Sequence, residues 1–227
     1  AIQKRLHSAS IASWSGDAPL WRDVVDAALF DTVQPLERQR QQAVLEVLQS
    51  EEAYVAQLRQ FLEAYPRRIL AKHVTSDEYD AWFGELRVVL QLAEQLVREL
   101  KDASAGGLVL GFGEVMLKHF KALEPVYSAY CANNAHITAS IRLHAQTEPG
   151  VEEALARGCT ICGGLDIHSY RLKPLQRITR YPLLLRAVLE QKRAQLDSVA
   201  AALAEFELRC ASEDAARKQV RGPVNLY

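Results

Sequence analysis

Apolar residues recur every three or four positions through most of the chain, the spacing that lines one face of an α-helix. Trp21, Val24, Val25, Ala28 and Leu29 fall at i, i+3, i+4, i+7 and i+8, which predicts one short amphipathic helix within residues 19–34. Pro35 can open the next helix, because the first helical position has no N–H bond to lose. That helix is predicted over residues 35–64, with Val44, Val47, Leu48, Val55, Leu58 and Leu62 as its stripe and Pro66 as its stop. Thr75 or Ser76, with Glu78 near the first turn, caps a third helix carrying Trp82, Leu86, Val89, Leu90, Leu96 and Val97 as far as Leu100. The pattern breaks over residues 104–107. An aromatic-rich helix follows over 112–132 with a kink at Pro125, then shorter helices over 137–146 and 150–156 and a loop over 158–164. Residues 166–218 read as helical except at Pro174 and Pro182. With no internal repeat and no alternating stretch long enough for a sheet, the prediction is an all-α fold, an elongated bundle of long helices kinked at prolines. The expected organisation is a flexible lead over 1–18, an amphipathic and potentially regulatory helix over 19–34, the bundle over 35–218 and a tail over 219–227.

One member of a stripe is out of place. Glu51 stands seven residues after Val44 and four after Val47, in the row that faces the core. Burying an unpaired carboxylate is expensive. Either Glu51 has a partner inside the fold, or its row emerges at a surface that another molecule covers.

Composition narrows the function classes. The 227 residues are 49% hydrophobic and 24% charged, an ordinary globular balance with ample material for a core. Lys+Arg 27 against Asp+Glu 28 leaves a net charge of −1, so no global basic field exists to hold nucleic acid or an anionic membrane. Any membrane contact is expected to be indirect, through other parts of a longer protein, and Ala1 in first place fits an excised segment. Four cysteines, at 131, 159, 162 and 210, suit a reducing, cytoplasmic setting better than a disulfide framework.

Bond-making chemistry finds little support. Cys159-Thr-Ile-Cys162-Gly163 looks like half of a zinc knuckle, but no second pair of ligands stands at a matching spacing, so neither metal nor cofactor is expected. Nucleophile elbows and phosphate loops are absent from the sequence. The remaining candidate is a docking strip. Arg171, Lys173, Arg177, Arg180 and Arg186 form a basic run, and Leu172, Leu175, Gln176, Thr179 and Arg180 share one helix face that mixes leucine with long hydrogen-bonding groups, as interfaces do.

The segment Leu172-Lys-Pro-Leu-Gln-Arg-Ile-Thr-Arg-Tyr-Pro-Leu-Leu-Leu185 resembles the signature helix of Dbl-homology domains, the exchange modules of Rho-family GTPases. Residues 40–55, with Ser50-Glu-Glu-Ala-Tyr54, resemble the family's first conserved region; Phe112–Lys118 with Tyr127–Asn134 resemble its second, and Cys162–Tyr170 matches the approach to the signature helix. The likeness covers about residues 36–215 and is nearest in look to the intersectin branch. It implies a monomeric helical bundle that binds a nucleotide-free Rho-family GTPase without covalent chemistry. By the resemblance, Glu51 engages switch I, Gln176 and Arg180 bond switch II, and Leu172 and Leu175 contact the strands used for subfamily selection; the place of a usual Asn or Asp falls by spacing at Ala211, with Ser212 and Glu213 adjacent, and either Ala211 or Ser212 takes that role. Leu172, and the uncharged loop Gly163-Gly164-Leu165, imply preference for the Cdc type, then Rho, then Rac. Arg171 stands where the family commonly has an aliphatic residue and is expected to be able to supply the basic group the loop lacks.

Overall fold

The computed structural model describes residues 19–65 and 67–220, excluding the side chains of residues 68, 105, 202, 203 and 205–220. Helix α1 (Trp21–Val24) and α2 (Ala27–Thr32) precede the long α3 (Pro35–Ala64). One turn, α4 (Arg67–Leu70), leads to α5 (Ser76–Asp102), a hairpin of β1 (Ser104–Ala105) and β2 (Leu108–Val109), and α6 (Phe112–Thr147). Then come α7 (Pro149–Ile161), the short α8 (Ile167–Arg171) and the 48-residue α9 (Lys173–Val220). Helix α5 packs on both α3 and α6, and α9 lies along α3, so the core runs the length of the bundle.

Local chemistry sets the ends of these helices. Pro35 opens α3 at the first helical turn. At α5 the Thr75 hydroxyl accepts from the Glu78 N–H at 3.2 Å, and the Glu78 carboxylate accepts from the Thr75 N–H at 2.8 Å, a reciprocal cap. The hairpin turns through Gly106 and Gly107 at φ 61° and 98°, a backbone that glycine adopts without strain.

Four element predictions need correction, the first being the expected break at Pro182, which lies inside the continuous α9. The predicted single helix over 19–34 is two, because Val25 is extended and Asp26 starts a new cap, its carboxylate accepting from the N–H groups of Ala28 and Leu29. The segment still packs on the bundle: Trp21 is buried beside Val25 and Leu45, and its indole N–H donates to the Gly107 carbonyl at 2.8 Å. The two helices predicted over 112–146 are one, continuous through Pro125 and through Asn133 to His136. Buried Leu123, Tyr127, Tyr130, Ile137 and Ile141 keep one stripe across the gap, and that packing outweighs the weak helix propensity of the asparagines. The loop predicted over 158–164 shrinks, since α7 continues to Ile161. Gly158 belongs to that helix for steric reasons: a Cβ there would stand 2.1 Å from the Tyr65 ring.

Candidate functional site

Helix α9 is bolted to α3 by one row of its side chains. Lys173 Nζ donates to Gln57 Oε1 at 2.9 Å, Arg177 Nε to Glu51 Oε2 at 2.9 Å, and the Arg177 Nη atoms to Ser50 Oγ at 3.2 and 3.1 Å. Tyr181 donates to the Glu51 carboxylate, 3.0 Å from Oε2 and 3.1 Å from Oε1, and Gln195 donates to Glu37 at 2.8 Å farther along. The Arg177 guanidinium also lies over the rings of Tyr181 and Tyr54, at 4.7 and 5.7 Å.

This row answers the anomaly at Glu51 and corrects the expectation that its side chain stands at a surface. Glu51 is 0% exposed, and its partners are inside the fold. Burial pushes its carboxyl above the ordinary range, against the opposing pull of Arg177 and Tyr181. Around the pair, Tyr54 and Tyr127 share a hydroxyl contact of 3.1 Å, and the buried His119 ring meets Tyr181 edge-on. Burial lowers the His119 pKa to about 4, so this imidazole is neutral near pH 7. Sequence reasoning had Arg177 in a solvent-facing strip and did not pair it with Glu51. The signal was there in the i, i+4 spacing of Lys173, Arg177 and Tyr181.

The neighbouring row of α9 faces outward. Leu172 is 45% exposed, and Gln176, Thr179 and Arg180 are exposed with it. Leu175 departs from the expected strip: it is half-buried and packs on the core. The backbone of Ser212 and Ala211 lies in α9, but their side chains lie outside the described residues.

Arg171 is not available to a partner. It is 1% exposed, its Nη1 donates to the Trp82 carbonyl at 2.5 Å, and its own carbonyl accepts from the Tyr130 hydroxyl at 2.6 Å. Arg171 Nε and Nη2 and the nearby Glu85 Oε2 have no hydrogen-bond partner. Replacing a buried pair of opposite charges by hydrophobes of similar volume is often neutral or stabilising by about 1 to 4 kcal/mol, whereas removing one partner costs about 3 to 5 kcal/mol. Arg171→Leu alone, which leaves Glu85 behind, is therefore expected to lower the unfolding free energy measured in urea, and Arg171→Leu combined with Glu85→Leu to recover most of the loss; a double variant no more stable than the single one would contradict this reading.

Among the described residues no group of three His, Cys, Asp or Glu side chains could hold a metal ion, and no helix is long and apolar enough to cross a membrane. Cys131, Cys159 and Cys162 are free thiols.

The candidate site is therefore a polar and apolar row on α9, turned outward beside α3 in a bundle of long helices. Residues 43–207 match the RhoGEF domain, and the chain belongs to that family. It is 30% identical over 159 residues to the dynamin-binding protein of Mus musculus, covering 66% of this chain and 10% of that one. Intersectin-2 of Mus musculus is 28% identical over 199 residues, covering 82% of this chain and 12% of the relative, so the chain spans about a tenth of these proteins. Among solved structures, the fold resembles the DH/PH fragment of PDZRHOGEF in complex with human RhoA, at a TM-score of 0.65 and 18% identity, over 76% of this chain and 51% of that one. The DH/PH domains of p115-RhoGEF are similar at a TM-score of 0.61 and 19% identity, over 88% and 59%.

Proposed function

We propose that this chain is a guanine-nucleotide exchange module that binds a nucleotide-free Rho-family GTPase, remodels its switches and Mg²⁺ site, and releases GDP so that GTP can load. The observation that carries the reading is the outward row Leu172, Gln176 and Arg180 on a helix fixed to α3, within a chain of the RhoGEF family. Exchange needs no covalent step. A factor that binds the empty GTPase best weakens nucleotide affinity by the factor with which nucleotide weakens its own, so the work is done by differential contacts. Arg180 reaches switch II as a cation, Gln176 as a neutral hydrogen-bonding group, and Leu172 fills an apolar contact beside them. Glu51 acts from behind this row, through Arg177 and Tyr181, unless the GTPase draws it out. The module works as a monomer in the cytoplasm and reaches membranes through other parts of the longer protein.

The preference we propose is Cdc type first, Rho second and Rac last. Leu172 argues against the Rac type, and the exposed Gly163-Gly164-Leu165 turn offers no charge to acidic groups on Rho. Because Arg171 is buried, it does not replace that base. Exchange rates measured side by side on the three types test the order: Rac as the best substrate overturns the Leu172 argument, and Rho as the best overturns the loop argument.

The 19–34 segment supports a second role. It packs over Leu45, and the Pro19 carbonyl accepts from Gln49 Nε2 at 2.9 Å, two positions before Glu51. Truncation before Pro35 is expected to change the exchange rate while GTPase binding survives. An unchanged rate would leave the segment a purely structural cover.

A further inference from the structure

His144 stands near the end of α6 with an acceptor against each ring nitrogen. Nδ1 lies 2.9 Å from the Ser140 carbonyl of the preceding turn, and Nε2 lies 2.8 Å from Glu78 Oε1 on α5. The neutral ring has one N–H to donate, so it satisfies one of these contacts and turns a lone pair toward the other acceptor. The imidazolium donates to both. The ring is also held from its side: it meets the buried Trp82 ring edge-on at 5.3 Å, and the Trp82 indole N–H donates to Ser140 Oγ at 3.2 Å.

The acceptor on α5 is equally committed. The other oxygen of the Glu78 carboxylate, Oε2, accepts from the Thr75 N–H and hydroxyl, each at 2.8 Å, so one carboxylate caps α5 and reaches α6. The other titratable groups at this end are Glu148, at the turn into α7, and His73, on the turn after α4, which lies against Gly150. Arg142 is exposed and two residues before His144, about 200° around α6, so it faces away. The Ser140 carbonyl, with Glu78 and Glu148, raises the imidazole pKa above the ordinary 6.5, against the opposing effect of burial.

We propose that His144 and Glu78 form a proton-operated clasp, closed by the imidazolium, that ties the last turns of α6 to the cap of α5. What the clasp steadies is α7, which follows α6 directly and packs on α3, α4 and α8. A group whose pKa is higher in the folded than in the unfolded chain contributes fully below its unfolded value, and the contribution is lost as pH rises through its folded value. The clasp is therefore closed in mild acid and opens as pH rises through neutral. Glu78 stays ionised across this range, because the hydrogen bonds from Thr75 lower its own pKa. The proposal stands on these contacts, independently of the exchange reading.

Proton NMR on the whole chain reads the clasp directly. The imidazole resonance that disappears in His144→Gln identifies His144, and its titration midpoint is expected to be higher in the folded chain than in the same chain unfolded in urea. Glu78→Gln keeps an acceptor for the Thr75 cap and is expected to lower that midpoint. Stability supplies a second reading. The unfolding constant of His144→Gln divided by that of the wild type is expected to fall about two- to fivefold between about pH 6 and about pH 9, the range for partly exposed ion pairs. A midpoint no higher in the folded chain, a midpoint unmoved by Glu78→Gln, or a ratio that does not change with pH would each overturn the proposal.

Discussion

Replacing Glu51 by alanine is expected to destabilise the bundle by about 3 to 5 kcal/mol, the usual penalty for leaving one ion of a buried pair behind. Arg177 is only 5% exposed and would lose the carboxylate that satisfies it, keeping Ser50 alone. Tyr181 would lose its acceptor as well. The expected signature is a large fall in the urea midpoint with an unchanged slope, and a loss below about 1 kcal/mol would contradict the burial of the pair. The stability loss also confounds any exchange assay on this variant alone. Glu51→Leu combined with Arg177→Met removes both charges together and is expected to recover much of the stability. If exchange stays silent in that stable double variant, Glu51 serves the GTPase as well as the fold. If exchange returns, its role is to hold α9 against α3.

Arg180→Glu is expected to do the opposite, silencing exchange in a protein that folds as before. Arg180 is exposed on the outward row, and exposed substitutions usually shift stability by no more than about 0.5 kcal/mol. Reversing a charge that meets switch II replaces a desolvated contact with a repulsion. Losing such a contact typically costs about 2 to 5 kcal/mol of binding, a factor of about 30 or more in the rate at limiting concentration. Unchanged circular dichroism and melting, with exchange reduced at least that far, is the expected result. Wild-type exchange by Arg180→Glu would remove Arg180 from the interface.

The two variants separate what the sequence could and could not say. The limits of α3 were legible because Pro35 and Pro66 punctuate them, and the start of α5 because Thr75 and Glu78 form a cap from residues three apart. Glu51 was legible as an anomaly. Its resolution was not, because the partner lies 126 residues away on α9, and no periodicity reports which distant row faces it. The same limit explains the arginines of the basic run: Arg171 and Arg177 turn inward, Arg180 and Arg186 outward, and only the packing of α8 on α5 and of α9 on α3 decides which. Continuity of α6 through Asn133 and Asn134 was hidden for a related reason. Local propensity argues for a break there, and the long-range contacts of Ile137 and Ile141 override it. Leu172 and Gln176 were readable as candidates, since their mixed face suited neither a core nor a plain solvated surface.

The most direct test of the exchange reading is complex formation with a Rho-family GTPase stripped of nucleotide by chelating its Mg²⁺. The account predicts that this chain and the empty GTPase co-elute on gel filtration, and that adding GDP or GTP with Mg²⁺ dissolves the complex, as linkage requires. Co-elution that is equally strong with the GDP-loaded GTPase, or no complex with the empty one, would contradict it.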